Sequence, residues 1–184
     1  VQWVSVHTGT DSTTHQVRNL GDVPKLNEGQ IWERWSDQGC RSVVWGVMNG
    51  SRRDAPLCEV FVPDPWTFSE KAFPKDLNNL ILLPRYLAKN YLDISAKRVF
   101  FQGLKLLGTI FKKTPLPDFF DALIFLVRVL RKLGFRDVSF ILFYEYLSTL
   151  IFLNITRKKQ PDRAIIFLNS MAHVQHHYWN RADG

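Results

Sequence analysis

Three of the five histidines in this chain, His173, His176 and His177, fall within five positions near its carboxyl end. Neutral imidazole is the commonest protein metal ligand, and groups four apart share one face of a helix. Asn169 with His173, and His173 with His177, have that spacing. The alternative is a surface helix carrying incidental histidines. A second polar group stands near the other end, where Ser5-Val-His-Thr8-Gly9 runs on to His15 and Asn19. Its hydroxyls and amide can hold an anion or help to hold a metal. His15 is read as structural, fixing its own loop through hydrogen bonds.

Both groups need elements to position them. Arg163 to Leu168 is a compact apolar run and reads as a buried parallel strand that delivers Asn169 to His177 from its carboxyl end. Residues 1–8 alternate enough for a strand, or for a strand leading into a helix, and Thr8 to Thr14 reads as a polar turn. A loop from Asn19 to Gly29 leads to a helix over Gln30 to Gln38, with Ile31, Trp32 and Trp35 on one face and Gly39 as its stop signal. Ser42 to Val47 is apolar and β-branched, the pattern of a buried parallel strand. Glu59 to Val62 is a further short strand, closed by Pro63-Asp64-Pro65 because proline cannot continue a ladder. In open α/β sheets ligands bind beyond the carboxyl ends of the strands, where these polar groups are placed. Asn49 to Arg53 lacks the spacing of a phosphate-binding glycine loop and reads as a turn, as does Asp64 between its prolines.

From about Pro74 to Lys159 the apolar spacing becomes helical. Leu80, Leu83, Leu87 and Tyr91 form one stripe, Phe100, Leu104, Leu107 and Phe111 a second, and Phe119, Leu123, Leu126, Val127 and Leu130 a third. Asp118 is placed to cap the last of these, with Pro115 and Pro117 separating it from its predecessor. Helical spacing assigns most of these aromatic and aliphatic side chains to a core. Val138 to Ile155 contains a single charge, Glu145, and lies at the low limit of length for spanning a bilayer; its Tyr, Ser, Thr and Asn members suit a buried helix better.

These residues also carry a resemblance. A segment with Ser5, Thr8, Gly9 and His15 followed closely by Asn, then a Trp-containing helix and Gly39-Cys-Arg-Ser-Val-Val-Trp-Gly46, resembles the type I phosphodiesterase and nucleotide pyrophosphatase branch of the alkaline phosphatase superfamily. Members of that branch carry Ser-x-x-Thr-Gly-x-x-Pro-x-x-His-Gly near an Asn, and later an apolar strand ending in Asp-x-x-Gly-His. Here Ser12 or a neighbour stands for the Pro, Gln16 for the Gly, Asn169 for the Asp and Ala172 for the second Gly. The resemblance implies a parallel-sheet, alkaline-phosphatase-like α/β core. It also implies a pair of divalent metal ions, usually zinc, and a Thr or Ser nucleophile that forms a covalent intermediate. It makes His173 a metal ligand, sets Asn169 where a ligand Asp would stand, and makes Asn19 a contact to the transferred phosphoryl group. On that alignment the nucleophile and one ligand Asp fall before Val1 and an Asp-His pair and a last His beyond Gly184, so a partial catalytic domain is expected, inactive by itself.

The formal charge of +7 favours anionic partners without choosing among phosphorylated metabolites, acidic lipid and nucleic acid. Two cysteines, Cys40 and Cys58, cannot build a disulfide framework, which slightly favours a reducing, cytoplasmic location. The combined expectation has three segments: a core over residues 1–73, a helical insertion over 74–159, and a core strand with its metal-site loop over 160–184. The substrate would be a phosphorylated small molecule or lipid-like ester, with nucleic acid disfavoured and membrane association possible but not favoured. The competing class is a noncatalytic basic helical module that binds an anionic partner.

Overall fold

A computed structural model describes residues 2–23 and 29–178, the side chains of His173, His176, His177 and Tyr178 excepted. The chain forms two compact units: residues 1–109 with 159–167, and residues 110–158 with 168–184.

The first unit is organised by three parallel strands, β1 (Ser42–Val47), β2 (Cys58–Pro63) and β3 (Arg163–Ile166), in the order β2-β1-β3. All three strands expected from the apolar runs are present and parallel, and the class is mixed α/β, but β3 is not the buried strand expected: it lies at the sheet edge, with Arg163 and Ala164 exposed and Ile165 and Ile166 half-buried. Five of the six β1 residues are buried, so both its faces are covered and no polar alternation appears in its sequence. Helices α1 (Gln2–Thr8), α2 (Ser12–His15) and α3 (Ile31–Asp37) precede the sheet. Trp32 of α3 is fully buried and packs with Val44, Val47, Ala55, Cys58 and Phe61, while Ile31 and Trp35 lie partly buried at the margin. The outer edge of β2 is closed by Phe73, whose backbone exchanges bonds of 2.8 and 2.7 Å with Phe61.

No helix joins β1 to β2. Their connection, residues 48–57, is instead clamped to the start of α3. The buried Gln30 side chain donates to Ser51 O and accepts from Ser51 N, both at 2.8 Å, and Trp32 Nε1 donates to the same carbonyl at 2.8 Å. An amide side chain thus pairs with backbone as a strand neighbour would, satisfying groups whose burial without a partner would cost about 1–3 kcal/mol each. Glu33 accepts the Gln30 N–H at 2.7 Å and pairs with Arg53 at 2.7 Å. Its carboxylate is held below its ordinary pKa by the Arg53 and Gln30 hydrogen bonds, which outweigh desolvation.

The strand, or strand leading into a helix, expected over residues 1–8 is a helix throughout its described part, Gln2–Thr8, Val1 lying outside the described residues. Val4, His7 and Thr8 are the buried members of α1, an i, i+3, i+4 set, so the period is helical despite the apparent alternation. Gly9 ends it at φ +72°, donating to Ser5 O at 2.9 Å. Within the expected polar turn, Asp11 caps α2 by accepting from the Thr13 and Thr14 amides. After a short 3₁₀ turn, α4 (Asn78–Lys89) buries Leu80 and Ile81, whereas Leu87 and Tyr91 are exposed, so the inward face is rotated from the expected stripe.

Helix α5 (Ala96–Lys113) crosses from the first unit into the second. The second unit holds its last turn, α6 (Leu116–Leu133), all of α7 (Asp137–Lys159) but its final residue, and α8 (Ser170–Tyr178). Asn154 Nδ2 donates to Lys113 O at 2.7 Å, Phe111 and Phe119 rings meet at 4.7 Å, and Phe125 stacks on Tyr146 at 4.3 Å. Asp118 is not the cap of α6: the helix begins at Leu116 with Pro115 as N-cap, and Asp118 lies inside its first turn. Proline is tolerated there because the first amides have no intrahelical acceptor. The assignment of the helical stripes to a core is corrected for α5 and α6, many of whose apolar side chains are exposed. It is corrected for α7 as well. By length and composition α7 is the one helix among the described residues that could cross a membrane, and only 28% of its most apolar window is buried.

Two glycine substitutions test this packing. Gly46 has φ +71°, and a Cβ there would meet Phe167 O at 2.8 Å, across the junction of β1 with the residue after β3. Gly46→Ala should lower stability by about 2 kcal/mol or more in urea unfolding. Gly103→Ala in α5, where an added Cβ meets nothing within 4 Å, should raise it by about 0.5–1 kcal/mol.

Candidate functional site

The carboxyl end of β1 continues into Met48 and Asn49, and the amino-terminal motif is folded against it. His7 on α1 approaches Met48 O with Nε2 at 3.3 Å and lies against the Trp32 ring at 5.1 Å. Asn49, fully buried with φ +56°, donates through Nδ2 to Asn19 O at 3.0 Å and Asp22 O at 2.6 Å. Its backbone N–H donates to Thr67 Oγ1 at 3.1 Å. Asn49 Oδ1 is buried and has no hydrogen-bond partner among the described residues. An Asn accepts the left-handed conformation at modest cost, and here its amide ties the turn containing Asn19 to the end of the central strand.

The motif residues hold one another. Val17 N donates to His15 Nδ1 at 3.0 Å, which leaves Nε2 to carry the proton and donate to Ser5 Oγ at 3.1 Å. Both nitrogens of the buried His15 ring are therefore committed within the segment. Thr8 Oγ1 donates to Val4 O at 2.7 Å, and Arg34 Nη2 of α3 donates to Thr8 O at 2.8 Å. Asn19 itself is exposed, with Nδ2 donating to Asp22 Oδ2 at 3.1 Å.

Beyond β2, the buried Asp64 accepts from Trp66 N at 2.7 Å, and its carbonyl accepts from Thr67 N at 3.1 Å, the turn role expected for it. Burial pushes its carboxyl up to about 6, against the Trp66 hydrogen bond and the Arg85 charge, which pull it down. Arg85 reaches from α4 to Glu70 O and Thr67 O at 2.7 and 2.9 Å, stiffening the same turn. The Asn49 to Arg53 stretch is a turn as well, since Ser51 and Arg53 are engaged by Gln30 and Glu33. Burial raises the Cys58 thiol to about 11, which makes it inert packing.

Asn169, in the second unit, lies just past β3 and immediately before α8, and His173 is on the first turns of that helix with its side chain outside the described residues. His176 and His177 are on the same helix under the same limit. Glu145, the single charge of the apolar α7 stretch, accepts from Ser170 N at 2.6 Å and Ser170 Oγ at 2.7 Å. A carboxylate at a helix amino end satisfies its free amides and complements the helix dipole. In the sequence Glu145 stands out only as the single charge of the Val138 to Ile155 stretch; the signal available was a lone acid in an apolar helix. Asn49 gave a weaker one, an Asn-Gly pair directly after a strand.

Among the described residues no group of three or more His, Cys, Asp and Glu could hold a metal ion. Asn169 offers a neutral amide oxygen and His173 an imidazole, fewer than the three protein ligands usual at a catalytic zinc. These residues do not by themselves fit a two-metal centre. No family model, curated protein or solved structure matches the chain.

Two buried groups make opposite contributions to the pH dependence of stability. Burial lowers the His7 pKa to about 4, outweighing the Met48 hydrogen bond, so the stability linked to its neutral form is present above its ordinary value of 6.5 and lost as pH falls toward 4. Asp64 is raised from 3.8 to about 6, so its contribution is present below 3.8 and lost as pH rises through 6. Between about pH 4.5 and 6 the two slopes oppose. Asp64→Asn keeps the acceptor for Trp66 N and removes one slope: its unfolding free energy from urea titrations should rise with pH across that window, by on the order of 2 kcal/mol, while that of the parent stays nearly flat.

Proposed function

We propose that the chain is part of a metal-dependent hydrolase of phosphate esters, phosphodiesters foremost, built on an alkaline-phosphatase-like core. The observation that carries this reading is the placement of the Ser5-to-Asn19 segment at the carboxyl end of the central parallel strand, held there by Asn49. That is where open α/β sheets bind their ligands. Support also comes from β3, a parallel strand that runs directly into Asn169 and the helix bearing His173.

In this reading His173 and Asn169 are two of the donors to a pair of divalent ions, zinc by resemblance, and the other donors and a Thr or Ser nucleophile come from outside residues 1–184. Such ions polarise phosphoryl oxygens and activate the nucleophile. Asn19 contacts the transferred group after its amide exchanges Asp22 for a phosphoryl oxygen. His15 and Thr8 hold the segment in shape without touching substrate. The substrate is a phosphorylated small molecule or lipid-like ester. The noncatalytic alternative, a basic module for an anionic partner, draws its support from the exposed faces of α5 and α6.

The test is metal content together with turnover in the intact protein. His173→Ala should reduce bound zinc, measured by plasma mass spectrometry, and lower hydrolysis of bis(p-nitrophenyl) phosphate about a hundredfold or more. Asn169→Asp, which restores a charged donor, should tighten zinc binding about tenfold or more. Unchanged zinc in His173→Ala would remove it from the ligand set and the reading with it.

A further inference from the structure

Helix α5 carries two faces of opposite character. Phe100, Leu104, Leu107 and Phe111 recur at i, i+4, i+7 and i+11, which is one side of a helix. All four are exposed, from 48% to 61%. Beside that stripe stand Lys97, Arg98, Lys105 and Lys112, also exposed, and the helix contains no Asp or Glu. Helix α6 repeats the spacing on its own surface, with Leu116, Phe120, Leu123 and Val127 exposed at 37% to 65%. Its basic residues Arg128, Arg131 and Lys132 gather toward its carboxyl end.

An amphipathic helix whose apolar face is Phe and Leu and whose polar face is Lys and Arg is the form that lies flat in a bilayer interface. Water is a poor solvent for such a face, and the observed burial leaves it uncovered. Charge decides among the occupants. A second copy meeting it α5 to α5 would bring one row of cations against another, with no acid on α5 to offset them, and the two acids of α6, Asp118 and Asp121, stand in its first two turns, away from the cations at its carboxyl end. An anionic lipid surface matches both features together, since its acyl region accepts the stripe while its headgroups neutralise the flanking cations.

We propose that α5 and α6 are membrane-surface helices that dock the protein onto anionic bilayers, each with its apolar stripe in the headgroup boundary and its Lys and Arg residues on the acidic headgroups. Nothing in this depends on the hydrolase reading, and it requires no spanning segment.

Co-sedimentation of the full chain with vesicles tests it. Binding to phosphatidylcholine mixed with phosphatidylserine should exceed binding to phosphatidylcholine alone by about tenfold or more, and should weaken as salt is raised. Leu104→Ser with Leu107→Ser should reduce binding to the mixed vesicles about tenfold or more, and Lys97→Glu with Lys105→Glu should remove the preference for phosphatidylserine. All four positions are exposed, so circular dichroism and the thermal midpoint should stay close to those of the parent. Equal binding by the Leu104/Leu107 variant, or no binding of the parent to anionic vesicles, would overturn the proposal. A self-associated species by sedimentation velocity, lost in that variant while vesicle binding is absent, would make a second copy the occupant instead.

Discussion

A parallel strand paired on both edges and covered on both faces leaves polar chemistry only one place to stand, the loops at its ends. Strand β1 is in that position, with β2 and β3 on its edges and five of its six residues buried. Everything else in the first unit answers to this constraint. Trp32 covers one face, Gln30 secures the loop that must return to start β2, and Gly46 allows the carbonyl of Phe167 to come close. The amino-terminal motif has no strand of its own; it is positioned because Asn49, the second residue past β1, reaches back to the carbonyls of Asn19 and Asp22.

The two ways in which this chain uses apolar side chains differ sharply. In the first unit Trp32, Phe61 and the valines of β1 and β2 are buried together, and Gln30 and Trp32 pair with the backbone of Ser51 beside them. In α5 and α6 the apolar stripes are as regular, yet they face outward beside lysines and arginines. Periodicity in a helix reports that one face is apolar and carries no information about what covers it. That is why helical spacing alone assigned Phe100, Leu104, Leu107 and Phe111 to a core that they do not join.

How much was legible follows the same physics. Ser42 to Val47 could be read as a parallel strand because a strand buried on both faces must be apolar throughout, whereas the apolar run from Ala164 marked β3 as a strand without showing that it lies half-exposed at the sheet edge. The face of α3 was set by Ile31, Trp32 and Trp35. Residues 1–8 misled, since a short amphipathic helix whose buried members are Val4, His7 and Thr8 shows an alternation over the same few positions. The start of α6 was misplaced by taking the acidic residue as the cap where two prolines had already opened the helix. For the site, the hydrogen-bonding role of His15 was readable from its type and position. The roles of Asn49 and Glu145 were not, because their partners lie 27 to 30 and 25 positions away in the chain.

Local composition, then, determined the α/β class, the parallel strands, the helical middle and the basic surface, all of which depend on propensity and short-range periodicity. Tertiary structure decided which polar groups are already committed: His15 to Ser5 and Val17, Asn49 to the Asn19 turn, Glu145 to the start of α8. It also decided which apolar faces remain open. Both are questions of long-range pairing, and a chain's own spacing cannot answer them because the partner is selected by the fold.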